Sequence, residues 1–430
     1  MTVDVFPAVM QDFLHGDRPG VVVDSPPGAG KSTLVKRVAT HLAGAGEPLA
    51  IVAQTNEQVD DLVAGIAAAA PDSQVGRLSR DGYLASARVA GHRNVVVDSK
   101  MGNLTGSAVV ISTAAKWATV TDGSWPWAIV DEAYQMRSDA LLRIAGRFER
   151  TLFVGDPGQL DPFSVVETER WAGLSWDPQQ SAMAVLLAHN PSIKPHRLEV
   201  SWRLPATAAP VVSEAFYPYT PFTSGTGPED RSLFFRTRAF GKSTVDYSLE
   251  TAAATGWALH ELPRRQTLRT DAEVARACAQ LATRLLERSA VAVSEKAPDG
   301  APVTADRIAI GTAHRDQAAA VRAHLPADTG ITVDTANRLQ GREYDVTIVW
   351  HPLSGRRDAT AFHLESGRLC VLTSRHRHAC VVVARAGIPD LLDAHPSTGR
   401  MYLNEAVKFP DGWEANQAVL AHLSEHRVPA

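Results

Sequence analysis

The segment that most constrains the fold is residues 25–32, which read Ser-Pro-Pro-Gly-Ala-Gly-Lys-Ser. Three valines at residues 21–23 predict a strand before it, and apolar residues at helical spacing over residues 34–42 predict a helix after it. A glycine-rich turn in this position collects backbone N–H groups and the positive end of the helix dipole, and both favour phosphate. The segment therefore predicts a P-loop in a parallel α/β sheet, because a chance glycine-rich turn would lack the matching strand and helix.

A P-loop gives its residues distinct roles. We predict that Lys31 reaches the β- and γ-phosphates of a nucleotide and that the Ser32 hydroxyl is a ligand of Mg²⁺. Ser25 stands where the usual pattern has its first glycine, which is a small departure. The other predicted nucleotide contacts in the loop and the first helical turn are Pro27, Gly28, Ala29, Gly30 and Thr33.

A second signal lies at residues 128–132, where Ala-Ile-Val is followed by Asp131 and Glu132. A strand that ends in two carboxylates suits a Walker B site. Asp131 would hold Mg²⁺, and Glu132 would orient and deprotonate an attacking water. Alone, such a pair is more often a helix cap or exposed surface, but downstream of a P-loop we interpret it as catalytic.

A third signal is the loop at residues 155–162, Gly-Asp-Pro-Gly-Gln-Leu-Asp-Pro, after a predicted strand at residues 152–154. An open α/β sheet binds its ligand at the carboxyl ends of its strands, so Gln159 is placed to sense the γ-phosphate or its water. The alternative is a plain turn rich in glycine and proline.

The rest of the chain repeats the alternation of strands and helices, which predicts an α/β fold with two domains, residues 1–195 and 196–430. Residues 71–107 carry no strong pattern. Residues 218–270, rich in proline and glycine, are predicted to be a loop-rich insertion in the second domain, and a short tail ends the chain. Further strands are predicted at residues 49–53, 108–112, 127–130, 308–311, 331–333, 346–350 and 380–384.

The composition excludes several classes of protein. Hydrophobic residues make up 45% of the chain and charged residues 21%, which is typical of a globular protein. No apolar run approaches the ~18 residues of a membrane helix, and residues 1–11 lack a signal-peptide pattern. The cysteines at 278, 370 and 380 show no paired spacing, so neither a disulfide framework nor a cysteine-based zinc site is predicted. We expect a cytoplasmic protein without a membrane partner.

The motifs together make the chain similar to a superfamily 1 helicase of class B, the branch of the nonsense-mediated-decay RNA helicase and its bacterial DNA-repair relatives. The P-loop resembles motif I, residues 131–135 resemble motif II and residues 155–162 resemble motif III. Six further segments resemble motifs of this family. Residues 54–62 resemble motif Ia, residues 112–113 motif Ic, residues 198–205 the tyrosine–arginine segment, residues 308–317 motif IV, residues 332–343 motif V and residues 372–377 motif VI.

The resemblance implies two RecA-like P-loop domains, each a mainly parallel sheet flanked by helices, with ATP and Mg²⁺ bound between them. It implies that Arg203 and Arg375 are finger arginines, which complete a catalytic set with Lys31, Glu132 and Gln159. Trp202 replaces the family's usual tyrosine and would stack on adenine, the alternative being a buried core tryptophan. Further ATP contacts implied by the resemblance are Gln11, Gly341 and Glu343.

The resemblance also implies a groove for single-stranded DNA or RNA. The net charge of −4 does not indicate such a partner, but a single strand needs only a locally positive groove. The residues expected to hold successive phosphates, without reading sequence, are Thr55, Asn56, Thr113, Thr312 and Arg315.

The implied activity is that of an ATP hydrolase, a monomeric translocase or helicase that moves 5′ to 3′, with a protein loading partner left open. Class B enzymes usually carry an inserted subdomain where this chain has only residues 71–107. We therefore expect translocation along a single strand rather than strong separation of a duplex. An alternative is a nucleotide-switched ATPase that remodels a protein or nucleoprotein partner. A P-loop kinase for small molecules would not need the motifs after residue 332.

Overall fold

The computed structural model describes residues 4–160, 162, 180–239, 242–395 and 411–430. The chain divides into two compact units. The first comprises residues 1–26, 30–157 and 161–198, and the second comprises residues 27–29, 158–160 and 199–430. The domain boundary predicted from the sequence lies between residues 195 and 196. Each unit contains a parallel sheet flanked by helices, which confirms the predicted fold class.

The first unit alternates strands with helices. Its strands are β1 (Gly20–Asp24), β2 (Leu49–Ala53), β3 (Val75–Leu78), β4 (Val95–Asp98), β5 (Val109–Thr113), β6 (Trp125–Asp131), β7 (Phe148–Gly155) and β8 (His196–Arg197). Its α-helices are α1 (Phe6–His15), α2 (Lys31–Gly44), α3 (Asn56–Ala69), α4 (Ala87–Ala90), α5 (Ala114–Trp117), α6 (Ser138–Ile144) and α7 (Ala182–His189).

These strands form one eight-stranded sheet in the order β4-β3-β5-β2-β6-β7-β1-β8, and the pairs are parallel. β2 is apolar and buried along its whole length, as expected for a strand covered on both faces. The order makes β1, β7 and β6 neighbours. The segments that follow their carboxyl ends therefore meet at one edge of the sheet.

The second unit has more strands, several of them short. They are β9 (Val200–Ser201), β10 (Thr223–Ser224), β11 (Ser232–Phe235), β12 (Trp257–Leu262), β13 (Ala290–Ser294), β14 (Ala297–Pro302), β15 (Ile308–Thr312), β16 (Thr332–Thr335), β17 (Tyr344–Trp350), β18 (His376–Arg385) and β19 (Arg427–Pro429). The α-helices are α8 (Ala209–Phe216), α9 (Thr244–Thr255), α10 (Ala272–Glu287), α11 (Arg315–Arg322), α12 (Ala336–Leu339), α13 (Ala361–Leu364), α14 (Ser366–Thr373), α15 (Ile388–Ala394) and α16 (Gly412–Glu425).

The main sheet of the second unit has six parallel strands in the order β16-β15-β17-β18-β12-β19. Hydrophobic cores cover it with side chains that alternate along the strands: Val382 of β18 belongs to one core and Val381 to the other. A smaller antiparallel sheet, β11-β13-β14, lies beside β18. Among the described residues, no helix combines the length and apolarity needed to cross a bilayer.

Two sequence predictions need correction. Residues 71–107, which carried no strong pattern, contain β3 and β4, and these extend the first sheet. Residues 218–270 are not simply a loop-rich insertion, because they contain α9 and β12. β12 pairs along its length with β18, from Trp257 opposite Cys380 to Leu262 opposite Arg385. The pairing partner of β12 is more than a hundred residues away in the chain, so local composition could not indicate the strand.

Candidate active site

The P-loop has the backbone geometry that a phosphate site requires. Gly28 and Gly30 have φ values of +73° and +92°, in the left-handed region that favours glycine. Helix α2 begins at the next residue, Lys31, so its first N–H groups have no partners within the helix. The N–H of Ser25 donates to the Gly155 carbonyl at 2.8 Å, which joins the loop to the end of β7. The loop therefore suits a phosphate group, as predicted.

The two predicted Walker B carboxylates lie at the end of β6. Asp131 is the last residue of the strand, and Glu132 follows it with φ = +53°, a strained conformation for a residue with a side chain. The ammonium group of Lys31 donates a short hydrogen bond to Glu132 Oε1. The structure thus brings Lys31 and Glu132 together from segments that are far apart in the chain.

The electrostatics of this cluster favour a charged lysine. Burial lowers the pKa of Lys31, but the carboxylates of Glu132, Asp131 and Asp156 outweigh burial, and the pKa lies above its usual value. For Asp131, burial and then the negative charge of Glu132 raise the pKa to about 6, against the opposing effect of Lys31. The surroundings of Asp131 therefore contain too little positive charge to stabilise its ionised form.

A divalent cation fits this position. Asp131 Oδ1 is buried and has no hydrogen-bond partner among the described residues, and an orphaned carboxylate oxygen is a suitable ligand for a hard cation. Ser32, exposed in the first turn of α2, offers a hydroxyl oxygen of the same chemical type. Asp131 and Ser32 would hold Mg²⁺, which neutralises phosphate charge when bound.

Sequence reasoning missed two carboxylates around this cluster. Asp156, directly after β7, is buried and its charge acts on Lys31. Asp24, at the end of β1, accepts a hydrogen bond from the hydroxyl of Tyr134. Their positions in the sequence could have indicated them, because each carboxylate ends or directly follows a strand next to the P-loop or the Walker B segment.

In the second unit, Arg203, predicted to be a finger arginine, belongs to an ion-pair network. Its Nε lies 3.5 Å from Glu343 Oε2, and Arg377 Nη1 lies 3.2 Å from Glu343 Oε1. Burial raises the pKa of Glu343, but the two guanidinium groups outweigh burial and lower it. Glu343, expected to contact ATP, thus binds two arginines in this structure.

Glu295, in the turn between β13 and β14, extends the same network. Its carboxylate accepts hydrogen bonds from Arg231 at 2.7 and 3.0 Å and from Arg377 at 2.8 Å. Arg231 also donates to the backbone carbonyls of Trp202, at 2.7 Å, and Arg203. The hydrogen bonds from Arg231 are the largest of the causes that lower the pKa of Glu295 to about 2. Glu295 was missed because no motif contains it.

Arg375, the second predicted finger arginine, is fully buried. Its Nη2 donates to Ser374 Oγ at 2.7 Å, but its Nε and Nη1 have no partner among the described residues. A buried guanidinium with unused donors is costly unless an anion completes it. This arrangement fits a phosphate-binding arginine better than a structural ion pair.

Trp202 is not a core residue, so that alternative is wrong. Its side chain is 53% exposed, and a Cβ atom at Gly225 would lie 2.5 Å from its ring, so the indole packs on the glycine backbone. Its backbone N–H donates to the Gly28 carbonyl at 2.9 Å, within the second unit. An exposed indole that is held from behind is available for stacking.

The remaining predicted nucleotide residues have varied positions. Gln159 Oε1 accepts a hydrogen bond from the side-chain amide of Gln340 at 2.7 Å, and both residues belong to the second unit. Gly341 has φ = +79°, and a Cβ atom there would meet no atom within 4 Å, so the positive φ alone explains the glycine. Gln11 lies on the exposed face of α1. Asp161, in the segment that resembles motif III, lies outside the described residues.

The predicted nucleic-acid residues of the first unit lie where strands end. Thr55 caps α3 and accepts from the Gln58 N–H at 3.2 Å, and Thr113 caps α5 and accepts from the Lys116 N–H at 3.3 Å. Asn56 Oδ1 accepts from Arg77 at 3.2 Å. β2 and β5 are neighbours in the sheet, so their carboxyl ends place these residues at the same edge.

The two predicted nucleic-acid residues of the second unit differ in accessibility. Arg315 is exposed in the first turn of α11 and is available to a phosphate. Thr312 is fully buried, and its hydroxyl donates to the His314 carbonyl at 3.0 Å. The predicted hydroxyl contact of Thr312 therefore needs correction, because the side chain has no solvent-facing surface in this structure.

Comparison with known families agrees with this architecture. Two family models, each described as an AAA domain, match residues 7–171 and 179–387, so that the two units are matched in succession. The chain belongs to the superfamily 1 helicases. No curated protein sequence matches the chain.

Solved helicase structures resemble this superfamily 1 chain at low sequence identity. An arterivirus nonstructural protein 10 helicase is 12% identical over 85% of this chain, with a TM-score of 0.45, and a PRRSV helicase is 14% identical over 88%, with a TM-score of 0.43. An arterivirus helicase in complex with DNA is 12% identical over 86%, with a TM-score of 0.45. The chain spans 59%, 54% and 63% of these three proteins, respectively.

Proposed function

We propose that the chain is a cytoplasmic motor that hydrolyses Mg-ATP and moves along single-stranded nucleic acid in the 5′ to 3′ direction. The observation that carries the hydrolytic part is the cluster of Lys31, Glu132 and Asp131 beside the P-loop. Lys31 contacts the strained Glu132, and an orphaned oxygen of Asp131 lies beside them. Together they offer a cation for the phosphates, a carboxylate for the attacking water and an oxygen ligand for Mg²⁺, which phosphoryl transfer to water needs.

We assign the steps of hydrolysis to residues of this chain. Lys31 binds the phosphates, while Glu132 orients the attacking water and accepts its proton. Gln159 senses the same water. Arg203 and Arg375 stabilise the negative charge of the transition state, a role that the unused donors of buried Arg375 support.

The nucleic-acid part of the proposal rests on other observations. Thr55, Asn56 and Thr113 lie at the carboxyl edge of the first sheet, and Arg315 is exposed on the second unit. Contacts of this kind grip phosphates without reading bases, which suits a motor. One of the similar helicase structures is of a complex with DNA. The proposed direction follows from the resemblance to class B.

The test is the rate of ATP hydrolysis with no polymer, with single-stranded DNA and with single-stranded RNA. We expect at least one polymer to raise the rate, and Arg315→Ala to reduce this stimulation while leaving basal hydrolysis intact. Arg276→Ala, which removes an exposed arginine on α10, is the matched control and should keep the stimulation.

Two results would contradict the proposal. Hydrolysis that neither polymer changes would indicate a nucleotide-switched ATPase that acts on a protein partner. Transfer of the γ-phosphoryl group to a small acceptor instead of water would indicate a kinase.

A further inference from the structure

A cluster of three metal-ligating side chains lies at the end of α16, in the second unit and away from the motifs. His422 and Glu425 occupy the last turn of the helix, and His426 follows it. Spacings of three and four residues place the side chains on one helix face. One ligating atom from each residue lies within 4.8 Å of the others, and no other group of this kind occurs in the described part of the chain.

The backbone that carries the cluster is fixed by the fold. The His426 N–H donates to the Leu423 carbonyl at 3.1 Å, and the His426 carbonyl accepts from the Leu259 N–H of β12 at 2.9 Å. The next residues form β19, the edge strand that pairs with β12. The three side chains are therefore presented by a rigid element, which lowers the entropic cost of gathering them around an ion.

The chemistry of the cluster suits a cation. Nε2 of His422 is buried and has no hydrogen-bond partner among the described residues. The rings of His422 and His426 have centroids 4.9 Å apart. The C-terminal end of a helix also carries partial negative charge.

The neighbouring basic group does not oppose a cation here. Arg427, the next residue in the chain, directs its guanidinium to Glu261 of β12. Glu425 is exposed, so its side chain can rotate towards the histidines. At tetrahedral angles and Zn–N distances of about 2.0–2.1 Å, ligand atoms are separated by roughly 3.3 Å. The ligand atoms here lie within 4.8 Å of one another, so they need to approach by at most about 1.5 Å.

We propose that His422, Glu425 and His426 bind one Zn²⁺ ion, with water as the fourth ligand. Two imidazole nitrogens and a carboxylate oxygen are ligands that favour zinc over magnesium or calcium. The ion would join the end of α16 to the start of β19 and so secure the edge of the six-stranded sheet. The site does not depend on the proposed motor function.

The test uses the full chain after removal of metals with a chelator and without nucleotide. Zn²⁺ is titrated by calorimetry, and Co²⁺ is titrated by visible absorption, which reports tetrahedral coordination. We expect a site for one ion per chain in addition to any weak binding at Asp131. His426→Ala should weaken it by at least the 10- to 100-fold that loss of an outer-shell partner costs. His324→Ala, which removes an exposed histidine of the same unit, is the matched control.

His422→Ala carries a risk, because the ring packs edge-on against Trp257 with centroids 5.6 Å apart. Glu425→Gln and His422→Phe remove a ligand while keeping the size of the side chain, and circular dichroism confirms that they fold. Loss of the tetrahedral Co²⁺ spectrum in these folded variants would support the site. No zinc binding by the unaltered chain, or equal affinity in all variants, would overturn it.

Discussion

Arg375→Met should stabilise the nucleotide-free protein and at the same time abolish its activity. The side chain is fully buried, and Nε and Nη1 lack partners among the described residues. Each unsatisfied buried polar group costs about 1–3 kcal/mol, and replacing buried ionic groups by apolar side chains of similar volume is often neutral or stabilising by about 1–4 kcal/mol. The same change removes the proposed finger arginine, and such an arginine is worth about 10³- to 10⁵-fold in related phosphoryl-transfer sites.

Arg385→Met is the matched control, at the other end of β18. Arg385 is equally buried, but it donates to Asp271 at 2.6 and 3.0 Å and to the Pro263 carbonyl at 2.9 Å. Its loss leaves the buried Asp271 carboxylate with only the more distant Arg265 guanidinium, at 3.9 Å, which should destabilise the fold by about 3–5 kcal/mol. Two buried arginines close in sequence should thus respond to the same substitution with opposite signs.

Urea unfolding without nucleotide measures both free energies, and polymer-stimulated ATP hydrolysis measures the activity. The expected pattern is a raised unfolding midpoint with lost hydrolysis for Arg375→Met, and a lowered midpoint for Arg385→Met. If Arg375→Met lowered the midpoint as much as the control, the guanidinium would have partners that this structure does not show. If it kept full hydrolysis, Arg375 would not be a finger arginine.

Three further predictions concern other residues. Glu132→Gln should bind ATP but hydrolyse it at least a hundredfold more slowly, because general-base catalysis contributes about 10²- to 10⁴-fold; near-normal turnover would refute the Walker B assignment. Trp202→Ala should raise the KM for ATP several-fold to about a hundredfold, because stacking is worth ~1–3 kcal/mol. Trp202→Tyr should preserve the KM, and both variants should fold. Equal KM values for the two variants and the unaltered protein would exclude stacking. Glu295, with a pKa lowered to about 2, stabilises the fold above its usual value of 4.5, and this contribution is lost as the pH falls from 4.5 towards 2. Glu295→Gln should therefore flatten the acid-unfolding curve in that range, and an unchanged curve would show that the ion pairs add no stability.

Much of the fold could be predicted from local patterns, and the exceptions have a common cause. The buried strand β2 is an unbroken run of apolar residues, β17 is mostly apolar, and α10 shows a clear apolar face. β3 and β4 have only four residues each, and β12 lies between segments rich in glycine, proline and arginine. Such strands are specified by neighbours that are distant in the chain, so no window around them contains the information.

The candidate site shows the same division between residue identity and contact. The motifs indicated Lys31 and Glu132 because phosphate chemistry requires those residue types after those strands. They could not indicate that Glu343 binds Arg203 and Arg377, because these pairs depend on side-chain packing. For the same reason they could not indicate that Glu295, in a hairpin turn, binds Arg231 and Arg377. Nor could they indicate the burial of Thr312, since a polar residue after a strand is usually exposed.

The departures from ordinary protein chemistry concentrate in the predicted catalytic motifs. Glu132 has a left-handed backbone, Asp131 has an orphaned oxygen with a raised pKa, and Arg375 is a buried cation with two nitrogens that no described residue satisfies. Each costs stability, and a protein selected only for stability would replace them by apolar or well-paired residues. Arg385 shows that this chain can bury an arginine with full pairing. The unpaired state of Arg375 is therefore a property of its position, and an anionic ligand is the simplest partner that would remove its cost.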